Sequence, residues 1–574
     1  RVYDDVVGTR FLFGRESPEA LMGLPVVEKM LGSRKAEAVF LAAACLCAIL
    51  YRGWGVIATL AGGVPDITHI SYDGVYYAQI AKNLLEGHGP GWEAMVFPVL
   101  QPVIVAVFSR ISGIQNLSFL AVVVNQLAGV LLLIPAYYLA KEYFGIRPAV
   151  ATVAILIPYP HLVAIAGGDT VESLYAFLTF LSLLLAYRAI SGGKKTYFAA
   201  AGACMGATYL ARPEGLNLFV VFMAVACWQF TRRAGLADAA KKLGIAFAMF
   251  VLLALPYAWF LADSYGRVVL SPKLPYESVV MKTKVFGLPM KMSEVDGLTP
   301  GGKLAWQEKG GAGLVVKYFR DDPGRFVRVY TKNLTSELPW NVMNSTHLEG
   351  YPIVYPLYFW LPALVSFGAL MYRPDTRWKA ALLWAPFVNL FIYPVFTAGF
   401  WIYHVPYVPA LVMLAAGSYA WLSGRLTGKT GFAVPVLLAV TLFWAGYSTY
   451  VKYASTPENV EVINYRKALS DEAQKAGCEA RARFGTGSTY MMKWSRLVYY
   501  LGGRWVCIPA AATDRTIEYG RENGADYVVE ELVGDETASG PQYMDTPGLS
   551  LQYMYQSNRT EYAMLVWRIE RPVR

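Results

Sequence analysis

The chain has 574 residues, of which 55% are hydrophobic and only 16% charged. Soluble proteins average about 25% charged residues, so an all-soluble chain is excluded and a membrane protein with attached soluble mass is implied. The net charge of +10 does not call for nucleic acid, because Lys and Arg are retained on the cytoplasmic side of membrane spans.

Residues 1–35 mix both charges and lead into an apolar run at Ala36 without a small-residue exit, so a cytoplasmic segment with no cleavable signal is expected. Eleven stretches then approach the roughly 20 apolar residues a span requires: 38–58, 117–140, 148–166, 173–188, 197–211, 215–231, 243–262, 353–372, 380–398, 403–424 and 431–450. The pair 197–211 and 215–231 could be one span broken at Arg212-Pro213-Glu214. With the N-terminus inside, the short inner loops hold fourteen Lys and Arg against Glu142, Asp238 and Asp375. The short outer turns hold one, Arg212, against Asp169, Glu172 and Glu214. That asymmetry fixes the expected orientation, and an odd span count puts the C-terminus outside.

Three outer segments are long. In 59–116, Tyr77, Ile80, Ala81, Leu84 and Leu85 form one stripe of an amphipathic helix, with Gln79, Lys82, Asn83 and Glu86 opposite and Asp73 at its start. The apolar run 95–110 is only 16 residues long and holds Pro98 and Pro102, so it is expected to lie in the interface. The loop 263–352 is rich in Lys and Arg, with a helical pattern at Phe326–Tyr330. Residues 452–574 alternate: helix near 458–476, strand 479–484, helix 489–501, strand 504–509, helix 513–522, strand 525–532, and strands near 549–555 and 562–569. This is a small α/β domain. Cys45, Cys47, Cys204 and Cys227 fall in apolar stretches; Cys478 and Cys507 could pair if their domain is outside the cytoplasm.

Several polar residues stand where chemistry could occur. Asp73 can cap its helix, or it can be a general base at the membrane surface. Asp169 can be a capping residue or a second acid, with Glu172 one turn on. Arg212 between two spans needs an anion, either Glu214 or a lipid phosphate, which a guanidinium matches in bidentate fashion. Lys82 is expected to snorkel to headgroups. Lys273 could approach a phosphate, and His404 accompanies Tyr403 at the outer end of a span. Asp321-Asp322 before Pro323 reads as a turn. No metal-binding, zinc, P-loop or dinucleotide spacing is present in the sequence, so no metal or cofactor is expected.

The stretch "YDGVYYAQIAKNLLEGHG" followed by "FPVLQPVIVAVFSRISG" resembles the first outer loop of GT-C glycosyltransferases, in the branch of the protein O-mannosyltransferases and bacterial aminoarabinose transferases. Both show an acid, the aromatic pair Tyr76 and Tyr77, an amphipathic helix ending in Gly, and a proline-bearing interface helix. "YLARPEG" (209–215) and "IYHVPYVPALVMLAAG" (402–417) resemble further parts of that family, so the likeness spans most of the chain. Val96 and Phe97 stand where the aminoarabinose enzymes carry an acid–base pair, so the resemblance does not carry their substrate over to this chain.

The resemblance implies a GT-C transmembrane domain over 36–451, with the outer loops 59–116 and 263–352, and an extracytoplasmic α/β domain over 452–574. It implies an inverting transfer of sugar from a polyprenyl-phosphate carrier to a lipid, glycan or protein acceptor at the outer face of the plasma membrane. Asp73 and Asp169 match the family's acids. Arg212, Glu214, Tyr76, Tyr77, Lys82, Glu172, Lys273, Tyr403 and His404 are the expected substrate-binding residues. A polytopic transporter or flippase of a lipid-linked glycan is the rival expectation.

Overall fold

Ser33 opens the first helix by accepting the backbone N–H of Ala36 at 3.2 Å, an N-cap that satisfies one of the four free donors there. The structure, a computed structural model, describes residues 33–64, 70–71, 73–233, 235–284, 297–299, 303–337, 357–395, 407–426, 457–493, 496–533, 541–544 and 546–571. Helix α1 (Arg34–Arg52) and helix α2 (Trp54–Gly62) meet at 66°, so the stretch expected as one span at 38–58 is a bent pair. The bend falls at Gly53, beside Arg52. Arg52 cannot face hydrocarbon, and it turns inward to carbonyl oxygens, with Nε on Ile157 at 2.9 Å and Nη1 on Gly129 at 3.2 Å.

Helix α3 (Gly74–Leu85) and helix α4 (Leu100–Ser112) have 12 and 13 residues. Each rises only about 20 Å, too short to cross a bilayer. Helices α5 (Leu117–Leu131) and α6 (Leu133–Phe144) run on as one 28-residue length. Then follow α7 (Ile146–Leu156), α8 (Pro160–Ala166), α9 (Glu172–Gly192), α10 (Lys195–Ala211), α11 (Gly215–Arg233) and α12 (Leu236–Tyr265). Gly215 lies so close to the backbone of Tyr209 that a Cβ there would sit 2.4 Å from its nitrogen, which is how a three-residue turn at 212–214 joins α10 to α11.

Among the described residues, four helices are long and apolar enough to cross a membrane, or five counting the bent pair. The chain is a multi-pass membrane protein. The remaining expected spans occur as shorter or interrupted helices. The stretch 148–166 breaks ahead of Pro160, and 380–398 breaks at Pro386; 431–450 lies outside the described residues.

The segment after α12 holds α13 (Lys273–Lys284), α14 (Ala305–Lys309), α15 (Ala312–Asp321) and α16 (Pro323–Glu337). The expected turn at Asp321-Asp322 is present, with Asp322 Oδ1 accepting the N–H of Arg325 at 2.9 Å. Helices α17 (Leu357–Tyr372), α18 (Arg377–Trp384), α19 (Val388–Ile392) and α20 (Val408–Leu426) complete the bundle.

The C-terminal α/β domain opens on α21 (Pro457–Phe484). This helix runs through the stretch expected as a strand at 479–484, because Ala480 packs into the interior at no exposure. The sheet comprises β1 (Thr489–Met492), β2 (Arg504–Cys507), β3 (Tyr527–Val533), β4 (Leu549–Gln556) and β5 (Tyr562–Ile569), in the order β2-β1-β3-β5-β4. Helices α22 (Arg496–Leu501) and α23 (Thr513–Glu522) link the parallel strands, while β4 and β5 form an antiparallel hairpin. The helix expected at 489–501 is thus a strand followed by one short helix. Cys478 and Cys507 are both free thiols.

This domain rests on α3. Lys82 Nζ donates to the carbonyls of Gly502 and Gly503, the latter at 3.0 Å, and Gln79 Nε2 reaches Gly503 O at the same distance. Trp505 sets its ring edge-on to Tyr76 at 5.4 Å and to Trp92 at 4.8 Å. The expectation that Lys82 snorkels to headgroups is therefore corrected, since its ammonium donors go to two backbone carbonyls of the folded domain.

Candidate active site at the start of helix α3

Asp73 occupies the N-cap position of α3 but makes no side-chain cap bond. Its half-buried carboxylate accepts no hydrogen bond from any described residue. What normally occupies a capping acid is done here by others. Ser71 Oγ accepts the N–H of Gly74 at 3.0 Å. Asp169 Oδ2 in turn accepts Ser71 N–H at 2.9 Å and Ser118 Oγ–H at 3.2 Å, and its Oδ1 accepts the Ser71 hydroxyl. Asp169 is 5% exposed. It reaches this position because residue 74 is glycine; a Cβ there would lie 2.3 Å from the Asp169 carboxylate. Gln101 and Asn125 hold the Asp169 turn from below through the carbonyls of Thr170 (3.2 Å) and Gly168 (2.8 Å). Asp169 braces the turn, and Asp73 is left available.

A second constellation lies at the α10–α11 turn. Arg212, 3% exposed, donates from Nη1 to Glu172 Oε1 at 3.1 Å and from Nε and Nη2 to the two oxygens of Glu214 at 3.4 Å. The guanidinium also stands 5.5 Å from the ring centre of Tyr175, and Tyr393 donates its hydroxyl to Glu214. Burial pushes the Glu214 carboxyl up, but Arg212, the Tyr393 hydroxyl and Lys273 together outweigh it and hold it below its usual value. Among the described residues Glu172 Oε2 is buried without a hydrogen-bond partner, an acceptor whose desolvation is uncompensated there.

Tyr77 joins the two parts. Burial raises its hydroxyl pKa well above the usual value, and Glu172, Asp73 and Glu214 add to this while Arg212 opposes it. One ring therefore lies within electrostatic reach of the free acid and of the ion cluster. Tyr76 stacks on Phe97 at 4.4 Å, and Lys273 sets its ammonium 5.1 Å from the centre of the same Phe97 ring. Of the expected site residues, Asp73, Asp169, Tyr76, Tyr77, Glu172, Arg212, Glu214 and Lys273 are thus brought to one region. Lys82 faces the C-terminal domain, and Tyr403 and His404 lie outside the described residues. Among the described residues, no three His, Cys, Asp or Glu side chains are grouped so as to hold a metal ion.

Sequence reasoning passed over Tyr175, Tyr393 and, above all, Glu93. Glu93 lies in the short turn Trp92–Met95 and is 1% exposed. Its Oε2 accepts Asn83 Nδ2–H at 3.2 Å, while Oε1 has no partner among the described residues. Burial, only partly countered by hydrogen bonds and Lys82, lifts its carboxyl from 4.5 to about 8. Below pH 4.5 the acid is protonated folded and unfolded alike. Between 4.5 and about 8 the unfolded chain sheds a proton that the folded chain keeps, so stability falls as pH rises across that window. Glu93→Gln, which mimics the neutral acid, is expected to flatten this slope. Thermal unfolding from pH 5 to 9 checks it, and parallel curves for both proteins would refute the neutral acid.

A family model described as dolichyl-phosphate-mannose-protein mannosyltransferase matches residues 97–259, which include Asp169, Glu172, Arg212 and Glu214. A search of curated proteins finds no match. Among solved structures, the Archaeoglobus fulgidus oligosaccharyltransferase superposes with a TM-score of 0.55 at 14% identity, over 92% of this chain and 73% of that one. ArnT from Cupriavidus metallidurans, bound to undecaprenyl phosphate, superposes with a TM-score of 0.51 at 13% identity, over 93% and 98%. The archaeal oligosaccharyltransferase has also been solved with an inhibitory peptide and a dolichol-phosphate, and there the TM-score is 0.52 at 14% identity, over 92% and 73%.

Proposed function

From the GT-C fold that this chain carries, we propose that it is a glycosyltransferase moving a sugar from a polyprenyl-phosphate carrier to an acceptor at the outer face of the membrane. The observation that carries the reading is the carboxylate of Asp73, which accepts no hydrogen bond among the described residues, at a helix start where a second acid, Asp169, braces Ser71, and which shares the surroundings of Tyr77 with a buried ion cluster. A capping residue would be bonded to the helix; a base must keep an oxygen free.

The step balances without a covalent enzyme intermediate. Asp73 takes the proton of the acceptor hydroxyl or amine, whose lone pair attacks the anomeric carbon from the face opposite the phosphate. The bond from that carbon to the phosphate oxygen breaks, and the polyprenyl phosphate departs with the electron pair, inverting the configuration. Negative charge grows on that phosphate. Arg212 already serves Glu172 and Glu214, so Lys273, beside Glu214 and over Phe97, supplies the cation for it. A donor sugar hydroxyl gives Glu172 Oε2 the hydrogen bond it lacks. Asp169 is assigned to hold Ser71 and the helix start rather than to exchange protons.

Mass spectrometry of lipids that copurify with the Asp73→Asn protein tests the reading. A polyprenyl-phosphate sugar is expected, because the donor is bound and not consumed. Ordinary phospholipids alone, under conditions that preserve bound lipid, would overturn it and favour a transporter.

A further inference from the structure

A continuing helix would bring the N–H of residue 98 to Ala94 O, but residue 98 is proline. The carbonyls of this turn are met instead by phenol hydroxyls from the end of α12. Tyr257 donates its hydroxyl to Ala94 O at 2.8 Å, with Phe97 O beside it at 3.2 Å. Tyr265, two turns on, donates to Met95 O at 2.8 Å. Both tyrosines are buried, so water does not compete for these carbonyls.

Tyr265 also reaches a second stretch. Its hydroxyl lies 3.4 Å from the carbonyl of Pro272, the residue before Lys273. Tyr209 of α10, likewise buried, donates to Leu270 O at 2.8 Å. The link from α12 to α13 is thus tied down just ahead of Lys273, whose ammonium stands 5.1 Å from the ring centre of Phe97. Behind the contact, Trp306 of α14 is 1% exposed. Its ring meets those of Trp92, Tyr276 and Tyr265 edge to face, at 5.8, 5.9 and 6.0 Å, so the turn, α13 and α12 pack on one indole. Phenylalanine would fill the same space as each tyrosine. What the hydroxyls add is the direction of two backbone stretches.

We propose that Tyr265, aided by Tyr209 and Tyr257, is a positioning residue for the phosphate of the lipid carrier. One hydroxyl, between Met95 O and Pro272 O, locks the stretch that carries Phe97 to the stretch that carries Lys273. The Lys273 ammonium is thereby held at one place over the ring. This rests on the reading above, in which Lys273 meets the departing phosphate. A lysine is a point charge on a flexible stem, and its backbone is the part the protein can fix. A cation placed beforehand costs no reorganisation when negative charge grows on the phosphate.

The test titrates undecaprenyl phosphate onto the full chain in detergent micelles, with undecaprenol, which lacks the phosphate, as reference. The parent is expected to prefer the phosphate, and Lys273→Ala to lose most of that preference. Tyr265→Phe is expected to bind undecaprenyl phosphate about ten-fold more weakly, within the range of one stranded buried acceptor, and undecaprenol as the parent does. Tyr209→Phe is expected to shift the same way, which keeps the test open if one variant fails to fold. Added to Lys273→Ala, Tyr265→Phe is expected to cost less than about two-fold more, because it acts through the lysine. Tyr143→Phe also removes a buried hydroxyl from a carbonyl, Lys379 O at 3.1 Å, and is expected to bind as the parent. Retained preference in Tyr265→Phe and Tyr209→Phe, a loss equal to that of Tyr143→Phe, or losses that multiply with Lys273→Ala overturn the proposal. So does a Lys273→Ala protein that keeps the preference. A parent that binds phosphate and alcohol alike overturns the glycosyltransferase reading and the proposal with it, so the parent alone tells the two failures apart.

Discussion

Asp73→Asn is expected to lower sugar transfer by about 10²–10⁴-fold, the typical worth of a positioned general base, while the protein remains as stable as the parent. Asn is as good an N-cap residue as Asp, and the Asp73 carboxylate has no hydrogen bond to lose among the described residues. The contrast with Asp169→Asn makes the result specific. Asp169 receives two donors from Ser71 and one from Ser118. An amide has one acceptor oxygen, and its NH2 would be turned against donors that are already buried. That variant is expected to lose activity and thermal stability together, by about 1–3 kcal/mol for the stranded donors. Transfer assays with a polyprenyl-phosphate sugar beside thermal unfolding of both variants check the pair. Activity in Asp73→Asn within about ten-fold of the parent, below the range of a lost base, or a fall in its stability equal to that of Asp169→Asn, would remove Asp73 from the chemistry.

The helix that carries Asp73 was legible because Tyr77, Ile80, Ala81, Leu84 and Leu85 obey one period, and the helix observed is Gly74–Leu85. Its opposite face was misleading for a physical reason. Gln79 and Asn83 read as a wetted side, yet they are 1% and 5% exposed, because the Gly503 carbonyl meets Gln79 from more than 400 residues along the chain and Glu93 folds back on Asn83. No local pattern announces a carbonyl that arrives from another domain. The strand β1 was missed because its four residues are all buried, so no alternation marks it. Glu93 was missed because a single acid among apolar neighbours has the same appearance whether it is solvated or enclosed. The fold was readable from motifs at widely separated positions, and it was the order of those motifs that made them informative. Which cation meets a phosphate was not readable, since it depends on whether Arg212 turns to Glu172, to Glu214 or outward.

Arg212→Met settles that last choice and is expected to cost about 3–5 kcal/mol of stability, the usual result of removing one partner from a buried ion pair. Glu172 and Glu214 would be left with 7% and 13% of their side chains exposed and no guanidinium between them. The pH dependence carries the sign. With Arg212 in place the Glu214 carboxyl is held below 4.5, so its contribution is present above that pH and is lost as acid protonates the folded chain. Without Arg212, burial is the largest influence left and the carboxyl rises, so the variant is most damaged at neutral pH and the gap to the parent narrows toward pH 4.5. Adding Glu172→Gln and Glu214→Gln to Arg212→Met is expected to return part of the stability at neutral pH. If Arg212 were instead the ligand of a lipid phosphate, Arg212→Met would lose copurifying donor while its unfolding temperature and pH profile stayed those of the parent. The two measurements therefore separate a cation that holds two acids in place from one that holds the substrate, and the contacts at 3.1 and 3.4 Å favour the former.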